Sequence, residues 1–403
     1  MEEWKECKLG EYLYIKGRIG WKGLKKDEYL NKSPYRIING ESLTEKGIEW
    51  SKAGFITKER YDESPEIMLE INDILLSKDG TIGKIGFVKE LLSPTTVASG
   101  IFVIRNIKPE IIDTMFIYHF LRSSKFKNFI KMRTEGSVIP HLYQKDFEEL
   151  NFPLPPLSIQ QKIAAILSSL DDKIELNNKI NTNLEQQAQA LFKNWFVDND
   201  SNLTEIEIGK LDILITDYVA NGSFKDLADN VKYLTEETNN VLIRLTDYNN
   251  NFASDMVYIS DKSYDFLEKS KLYGDEIIIS NVGANVGTVF RCPRLSKRMS
   301  LAPNSIMIRA NNYEHYLYLF FTSAYGQGLL KSIVTGSAQP KFNKTNFRSL
   351  KIKIPNEEQL SMFNNIYDSI HEKIINNQKE NMNLASIRDT LLPKLMNGEI
   401  EVD

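Results

Sequence analysis

The sequence is organised around one uninterrupted helical pattern between Pro153 and Asp198. Apolar residues recur there every three or four positions over roughly 40 residues, which is typical of a helix about 60 Å long that packs against another helix. Prolines open the segment, and Ser158 with Gln161 three residues later predicts the N-cap. Because the apolar stripe is narrow, this helix requires a partner helix.

A second stripe of the same kind, between Gln359 and Leu395, supplies that partner. Each stripe contains one polar residue where an apolar one is expected, Asn177 in the first and Asn377 in the second. A single asparagine on a coiled-coil seam can set the register of the pair. We therefore predict that these two amides hydrogen-bond to each other, and the alternative is that both are tolerated polar residues.

The two helical segments belong to a repeat that spans the chain. A shift of 200 residues aligns Gly136-Ser137 with Gly336-Ser337, and the order of the matches is kept along both halves. Further anchors are Phe147 with Phe347, Leu150 with Leu350, Pro155 with Pro355, and Leu184 with Leu384. The repeat divides the 403 residues into a globular domain at 1–154, a helical segment at 155–198, a second globular domain at 199–354 and a helical segment at 355–403.

Each globular domain combines short β-rich runs with amphipathic helices, which predicts a mixed α/β (α+β) fold. In the first domain the run at 71–76 is followed by a glycine-bearing turn at 77–84, and residues 114–133 have the spacing of one helix. The predicted architecture is therefore two similar α/β domains joined by two long antiparallel coiled-coil helices, related by an internal pseudo-two-fold repeat.

Composition limits the class of protein. Two cysteines are too few for a disulfide framework, and no apolar run reaches the length of a membrane span, so we expect a soluble cytoplasmic protein. Residues 1–154 carry 24 Lys and Arg against 23 Asp and Glu, and residues 199–354 carry 18 against 17. This balance does not by itself indicate nucleic-acid binding.

Two local clusters of positive charge are more informative than the totals. One lies along the predicted helix between Arg122 and Arg133, and the other surrounds Pro293 in the second domain. Lysines and arginines spaced in this way can follow a phosphate backbone, and an arginine on a loop can reach a guanine edge. Solvated surface residues remain an equally good interpretation of both clusters.

Motifs for catalysis are missing. The chain has no Asn/Asp-Pro-Pro-aromatic loop, as a base-modifying methyltransferase would need, and no phosphate-binding loop of a translocase. The four histidines show no ligand spacing with either cysteine, so no metal site is predicted. We interpret the chain as non-catalytic.

The repeated architecture and three motifs resemble the specificity subunit of type I restriction–modification systems. The motifs are Phe152-Pro153-Leu154-Pro155-Pro156-Leu157 leading to Gln160-Gln161-Lys162-Ile163, then Leu191-Phe192-Lys193-Asn194-Trp195-Phe196-Val197-Asp198, and Leu391-Leu392-Pro393-Lys394-Leu395-Met396-Asn397-Gly398-Glu399-Ile400. The likeness covers the full chain but is weaker in the globular domains. It departs at the second helix, which opens with Pro355-Asn356 instead of two prolines, and at 199–222, which has no counterpart.

This resemblance implies a non-catalytic subunit that reads a bipartite target in double-stranded DNA through two target recognition domains. Its helices would set the spacing of the half-sites and dock two methyltransferase subunits, with restriction/translocase subunits in the full complex. S-adenosylmethionine is expected in the partner methyltransferase subunit and no cofactor in this chain. Half-sites about 34 Å apart, one turn of DNA, fit this arrangement.

Candidate DNA contacts follow from the charge clusters and the glycine-bearing turn. They are Lys78, Thr81, Lys84, Arg122, Lys125, Lys131, Arg291, Arg294 and Arg298. The two Gly-Ser loops are as well suited to hold a domain on its helix as to touch DNA. Alternative functions are a coiled-coil scaffold without DNA binding, or the specificity subunit of a related system outside type I.

Overall fold

A computed structural model describes residues 4–19, 23–44, 47–134, 141–199, 203–250, 252 and 256–402. The chain forms two compact units: unit 1 consists of residues 1–174 and 383–403, and unit 2 of residues 175–382. Two long helices, Leu157–Phe196 and Glu357–Met396, are each divided between the units. The units therefore differ from the four sequence segments, because each globular domain shares a compact unit with parts of both helices.

Unit 1 is built on a four-stranded antiparallel sheet. Across the sheet the strand order is Leu13–Gly17, Ile101–Asn106, Ile74–Ser77 and Ile85–Phe87. Isoleucine, leucine and phenylalanine side chains from both faces of this sheet are buried, because alternate residues of a strand point to opposite faces. One face packs under the helices of the domain and against parts of the two long helices.

The other elements of unit 1 surround this sheet. A second, three-stranded sheet combines one parallel and one antiparallel pair. The remaining strands of unit 1 are Lys5–Lys8, Tyr35–Ile38, Leu43–Thr44, Gly47–Ile48, Gly54–Ile56, Thr95–Val97 and Asn151–Leu154, and its shorter helices are Lys58–Asp62, Thr114–Arg122, Ser124–Thr134 and Gln144–Glu149.

Unit 2 repeats the four-stranded antiparallel sheet in the same order. Its strands are Leu214–Asp217, Ser305–Arg309, Ile277–Ser280 and Val289–Arg291. The other strands are Thr204–Glu207, Tyr233–Leu234, Asn240–Ile243, Val257–Ile259, Lys271–Leu272, Arg298–Leu301 and Lys351–Ile354, and the shorter helices are Phe224–Asn230, Leu245–Asn249, Asp261–Phe266, Glu314–Thr322, Ala324–Ser332 and Lys344–Arg348. The matching sheet order confirms the duplicated mixed fold.

The prediction of one helix over residues 114–133 is wrong in detail. The structure has two helices there, Thr114–Arg122 and Ser124–Thr134, separated by Ser123 in an extended conformation with φ −70° and ψ 159°. The Ser123 hydroxyl accepts a hydrogen bond from the backbone N–H of Phe126 (3.4 Å) and so caps the second helix. Apolar spacing alone did not reveal this break, because both helices bury the same side of the segment.

The long helices begin and pair slightly differently from the prediction. The first starts at Leu157, with the Gln160 N–H donating to the Pro156 carbonyl oxygen (3.0 Å), so Ser158 lies inside the first turn and is not the N-cap. In unit 2 the helices are antiparallel, since Asn177 contacts Asn381 while Asn181, one turn later, contacts Asn377. No helix in the described part of the chain is long and apolar enough to cross a membrane.

The seam asparagines pair across the helices, but one turn away from the predicted partners. Asn177 Nδ2 donates to Asn381 Oδ1 (2.9 Å) and to Glu380 Oε2 (2.7 Å), while Asn377 Nδ2 donates to Asn181 Oδ1 (2.8 Å). The predicted Asn177–Asn377 bond is therefore replaced by two Asn–Asn bonds, Asn177–Asn381 and Asn181–Asn377. A shift of 200 residues converts one Asn–Asn bond into the other, so the repeat extends to this polar layer.

Candidate nucleic-acid interface

The hairpin turn of domain 1, residues 78–84, is folded by a serine side chain and by glycine. Ser77 Oγ donates to the Thr81 carbonyl oxygen (2.7 Å) and accepts from the Lys84 N–H (2.9 Å). Gly83 has a φ of 96°, a left-handed value that glycine adopts without strain. These bonds involve the backbone of the turn, and the Thr81 side chain is exposed.

The helix Ser124–Thr134 lies beside this turn. A Cβ placed on Gly83 would be 3.4 Å from Ile130 Cδ1, which locates the middle of the helix against the turn. The helix contains no acidic residue and four basic ones. The basic residues, all exposed, are Lys125, Lys127, Lys131 and Arg133. We call residues 78–84 together with the exposed side of this helix the hairpin–helix face of domain 1.

The two lysines of the turn are less accessible than those of the helix. Lys78 Nζ lies 4.8 Å from the ring centroid of Phe102, and burial lowers the pKa of this lysine. Lys84 Nζ donates to the Gly40 carbonyl oxygen (3.4 Å). Both side chains are half-buried, so the helix supplies the most exposed positive charge of the face.

Arg122 points to an ion cluster of unit 1 that also contains Asp171 and Arg388. Arg122 pairs with Asp171, and Arg388 Nη1 lies 2.8 Å from Asp171 Oδ1. Burial alone would raise the pKa of Asp171, but the two guanidinium groups outweigh it and hold this pKa below its ordinary value. We name these three residues the Asp171 cluster, and it ties domain 1 to both long helices.

Two arginines proposed for domain 2 also make contacts within their own unit. Arg291 Nη2 donates to His315 Nδ1 (3.0 Å). Arg294 Nε donates to Asp275 Oδ2 (2.8 Å), and its Nη1 and Nη2 atoms lie 3.1 Å from Glu372 Oε1. Glu372 belongs to the second long helix, so Arg294 connects domain 2 to that helix.

The third arginine, Arg298, is paired as well. It forms an ion pair with Asp261, and its guanidinium lies 4.8 Å from the ring centroid of Tyr264. A hydrogen bond from Asn240 lowers the pKa of Asp261 most, and the positive charge of Arg298 lowers it further. Each of the three arginines has different partners within its own unit.

Domain 2 has a hairpin–helix face at the same place in its fold. Its turn spans residues 281–288 and its helix spans Ala324–Ser332. Gln327 Nε2 donates to the Gly287 carbonyl oxygen (3.1 Å), which joins the helix to the turn. This helix has Lys331 as its one basic residue.

The Gly-Ser loops were predicted to touch either a helix or DNA. Gly136-Ser137 lies outside the described residues. In domain 2, Gly336-Ser337 is exposed in a loop closed by reciprocal backbone bonds between Thr335 and Lys341 (both 2.8 Å). The Gly283 N–H donates to the Pro340 carbonyl oxygen (2.9 Å), so this loop lies beside the turn of the domain 2 face.

Three important residues were absent from the predicted set. Lys127 lies in the predicted basic cluster, and its position three residues before Ile130 places it on the turn side of the helix. Asp171 and Arg388 form the ion cluster but are more than 200 residues apart in the sequence. A charged residue beside an apolar seam was the available signal for Asp171, although its partners could not be identified from it.

The exposed side chains of these faces are suited to binding nucleic acid. Exposed lysines beside an ordered turn can contact phosphate oxygens, and turn side chains can reach base edges. No group of three or more His, Cys, Asp or Glu side chains within the described ranges could hold a metal ion. The fold and faces thus define a class: two copies of one binding domain carried on a pair of long helices.

Comparison with known proteins agrees with this class. A family model described as the type I restriction modification DNA specificity domain matches residues 1–186 and 213–381. The MjaIX type I restriction enzyme specificity subunit of Methanocaldococcus jannaschii is 30% identical, and the alignment covers 97% of this chain and 88% of that protein. The HindI specificity subunit of Haemophilus influenzae is 27% identical, with 75% of this chain and 81% of the relative covered.

One solved structure supports the fold independently. The crystal structure of the type I restriction–modification S subunit from M. genitalium matches 97% of this chain and 96% of its own, with a TM-score of 0.54 and 18% identity. The chain belongs to the type I restriction–modification DNA specificity family. It is a non-catalytic DNA specificity subunit with two target recognition domains, which resolves the choice among the functions considered from the sequence.

Proposed function

We propose that the two domains read the two halves of one bipartite target in double-stranded DNA, each through its hairpin–helix face. The observation that carries this proposal is the pair of faces on identically ordered sheets. The turn of domain 1 is followed along the chain by a helix with four basic residues, and the same elements of domain 2 carry a different set of side chains. Two domains of one fold with different exposed residues suit two different half-sites.

The contacts of domain 1 are assigned first to Thr81 and to the exposed lysines Lys125, Lys127 and Lys131. Thr81 is exposed on the turn and can reach a base edge, while the lysines suit phosphate oxygens. Lys78 and Lys84 are half-buried and would need to extend from their present positions to reach DNA.

The long helices set the gap between the half-sites and dock the other subunits. We assign two methyltransferase subunits and, in the full complex, restriction/translocase subunits as partners of this chain. The names of the relatives, specificity subunits of type I restriction enzymes, support this assignment. S-adenosylmethionine would bind the methyltransferase subunit, and the complex would act in the cytoplasm, where it meets DNA.

Methylation mapping tests the proposal. The chain is co-expressed with the methyltransferase encoded beside its gene, and modified adenines are read across the host genome. The expected result is one split motif with two short specified halves and a fixed unspecified gap. The methyltransferase expressed alone is the control and should give no such motif.

A negative result in that experiment would be informative. If the two proteins co-purify as a complex but no split motif is methylated, the chain does not direct DNA recognition. If methylated sites contain one specified half, then only one of the domains reads DNA and the two-domain proposal fails.

A further inference from the structure

The two hairpin–helix faces can be compared position by position. Ser123 and Ser323 precede the two helices with nearly the same backbone angles, φ −70° and −71° with ψ 159° in both. The N–H groups of Lys127 and Gln327 donate to the carbonyl oxygens of these serines, at 3.0 and 2.9 Å. Lys127 therefore corresponds to Gln327, and Lys125 to Tyr325.

The turns correspond in the same way. The N–H of Ser77 donates to the Lys84 carbonyl oxygen (3.0 Å), and the N–H of Ser280 donates to the Thr288 carbonyl oxygen (2.9 Å). Lys84 thus corresponds to Thr288, and Lys78, which follows Ser77, corresponds to Asn281, which follows Ser280. Both lysine positions of the domain 1 turn are uncharged in domain 2.

The helices differ in charge by more than the turns. The domain 1 helix has four basic residues and no acid, whereas the domain 2 helix has one basic residue and no acid. Lys125 and Lys127 are exposed and have no ion-pair partner within the part of the chain that the structure describes. At the Lys125 position, domain 2 places Tyr325, whose side chain is 57% exposed.

The arginines proposed as DNA contacts in domain 2 are engaged within their own unit. Arg291, Arg294 and Arg298 each contact groups of their own unit, and Lys344 lies 3.0 Å from Asp217. Arg294 and Arg298 are exposed but are paired with carboxylates, whereas Lys125 of domain 1 is exposed and takes part in no ion pair among the described residues.

We propose that domain 1 provides most of the phosphate contacts of this protein, and that domain 2, whose helix has Lys331 as its one basic residue, holds its half-site mainly through uncharged side chains. This inference rests on the proposed function, because it assumes that the hairpin–helix faces meet DNA. Each neutralised phosphate releases counterions, which makes affinity fall with salt by a slope of about 0.9 per contact in a log–log plot. The salt dependence should consequently depend on domain 1.

The double variant K125Q/K127Q tests the inference in the full-length chain bound to its methyltransferase. The Kd for a duplex containing the mapped motif is measured at several salt concentrations. Two lost contacts should reduce the slope by about 1.8, so that wild type loses about 12-fold more affinity than the variant over a fourfold rise in salt. The control K5Q/K8Q makes the same change of charge on exposed residues of the strand Lys5–Lys8 and should keep the wild-type slope.

A reverse substitution tests the correspondence of the faces. Tyr325→Lys gives domain 2 the residue found at position 125 of domain 1. If the two faces approach DNA in the same way, this variant should steepen the slope by about 0.9. Because position 325 is exposed, circular dichroism should show wild-type folding for this variant.

The outcomes separate this inference from the proposed function. If K125Q/K127Q and K5Q/K8Q changed the salt slope equally, the inference would be overturned. The slope would then depend on the total charge of the protein and not on the lysines of the domain 1 face. An unchanged slope for Tyr325→Lys would overturn the placement of the domain 2 face. Failure of wild type to methylate a split motif would instead contradict the proposed function itself.

Discussion

The Asp171 cluster predicts the effect of one substitution, Asp171→Asn. The carboxylate contacts Arg122 of domain 1 and Arg388 of the second long helix. Asparagine keeps the size of the side chain but removes its charge, so two guanidinium groups lose their shared anion. Domain 1 should consequently be held less firmly on the helices, and unit 1 should unfold more easily.

The expected loss in the free energy of unfolding lies between the loss from breaking a buried ion pair and the loss from breaking a surface ion pair. Breaking a fully buried pair costs about 3–5 kcal/mol, and an exposed pair contributes about 0–1 kcal/mol. The side chain of Asp171 is 23% exposed, and those of its two partners are 24% and 19% exposed. We therefore expect a loss of about 2 kcal/mol, which lowers the melting temperature of a unit of this size by about 4–8 °C.

Differential scanning calorimetry of the full-length chain measures this effect. The matched control is Asp172→Asn, one position further along the same helix. Asp172 pairs with Lys89 at 3.1 Å, but their side chains are 65% and 53% exposed, so this variant should lose at most about 0.5 kcal/mol.

The stabilisation by Asp171 should also depend on pH, and it should weaken as the solution becomes acidic. The pKa of Asp171 is lower in the folded chain than in the unfolded one, where it is about 3.9, so the stabilisation is present above that value and is lost as the pH falls below it. The difference between wild type and Asp171→Asn should be constant from pH 7 to 5 and shrink below about pH 4. Equal melting temperatures of the two Asp→Asn variants at pH 7 would refute the reasoning.

Three further predictions concern the asparagine layer, a close backbone approach and a buried histidine. Asn181→Leu leaves the buried amide of Asn377 without its partner and should cost about 1–2 kcal/mol, whereas the double variant N181L/N377L should recover most of this loss. Gly326→Ala places a Cβ 2.0 Å from a carbonyl oxygen and should destabilise unit 2 by more than about 3 kcal/mol, while Gly328→Ala meets no atom within 4 Å and should stabilise its helix by up to about 1 kcal/mol. Burial lowers the pKa of His119 to about 3, so stability should fall as the pH drops below about 6.5, by up to about 1.4 kcal/mol per unit, and His119→Gln should reduce that slope.

Denaturant titrations at fixed and varied pH measure these effects. A double asparagine variant as unstable as the single one would show that the amide bond does not explain the cost. Equal stabilities of the two glycine variants would contradict the close approach at Gly326. An unchanged pH slope in His119→Gln would mean that another group is responsible for the acid sensitivity.

The duplicated fold could be predicted from the sequence because its signals are local. Apolar spacing identified both long helices, and the 200-residue repeat identified the two domains. The break at Ser123 was missed because an extended residue between two helices leaves the apolar periodicity almost unchanged. The partner of Asn177 was missed by one helical turn. The position of a seam residue in the sequence does not determine the register of two antiparallel helices.

The candidate DNA contacts were less predictable because ion pairs form between distant parts of the chain. Arg298 is 37 residues from Asp261, and Arg294 is 78 residues from Glu372. Along the sequence these arginines are neighbours with no acid between them, so they resemble a free cluster. The lysines of the domain 1 helix remain exposed because that helix contains no acid and its buried side is apolar.

Each domain contains an ion pair with a buried carboxylate at the same place in its four-stranded sheet. Asp73 accepts from Arg105 Nε (2.7 Å), and Glu276 accepts from Arg309 Nη2 (2.8 Å). Both acids precede the same strand of the four-stranded sheet and are almost completely buried, with the side chains 0% and 2% exposed. An unpaired charge at either position would be costly, so these pairs constrain the sequence of each domain.

Substitutions at the exposed positions of the hairpin–helix faces do not leave a buried charge unpaired. At one such position domain 1 has Lys125 and domain 2 has Tyr325, and the four-stranded sheet has the same strand order in both domains. Surface substitutions of this kind usually change stability by less than about 0.5 kcal/mol. Under the proposed function, this arrangement suits a protein that reads two unlike half-sites with one fold. Paired charges inside each domain fix its shape, while the exposed hairpin–helix face can vary independently in each copy.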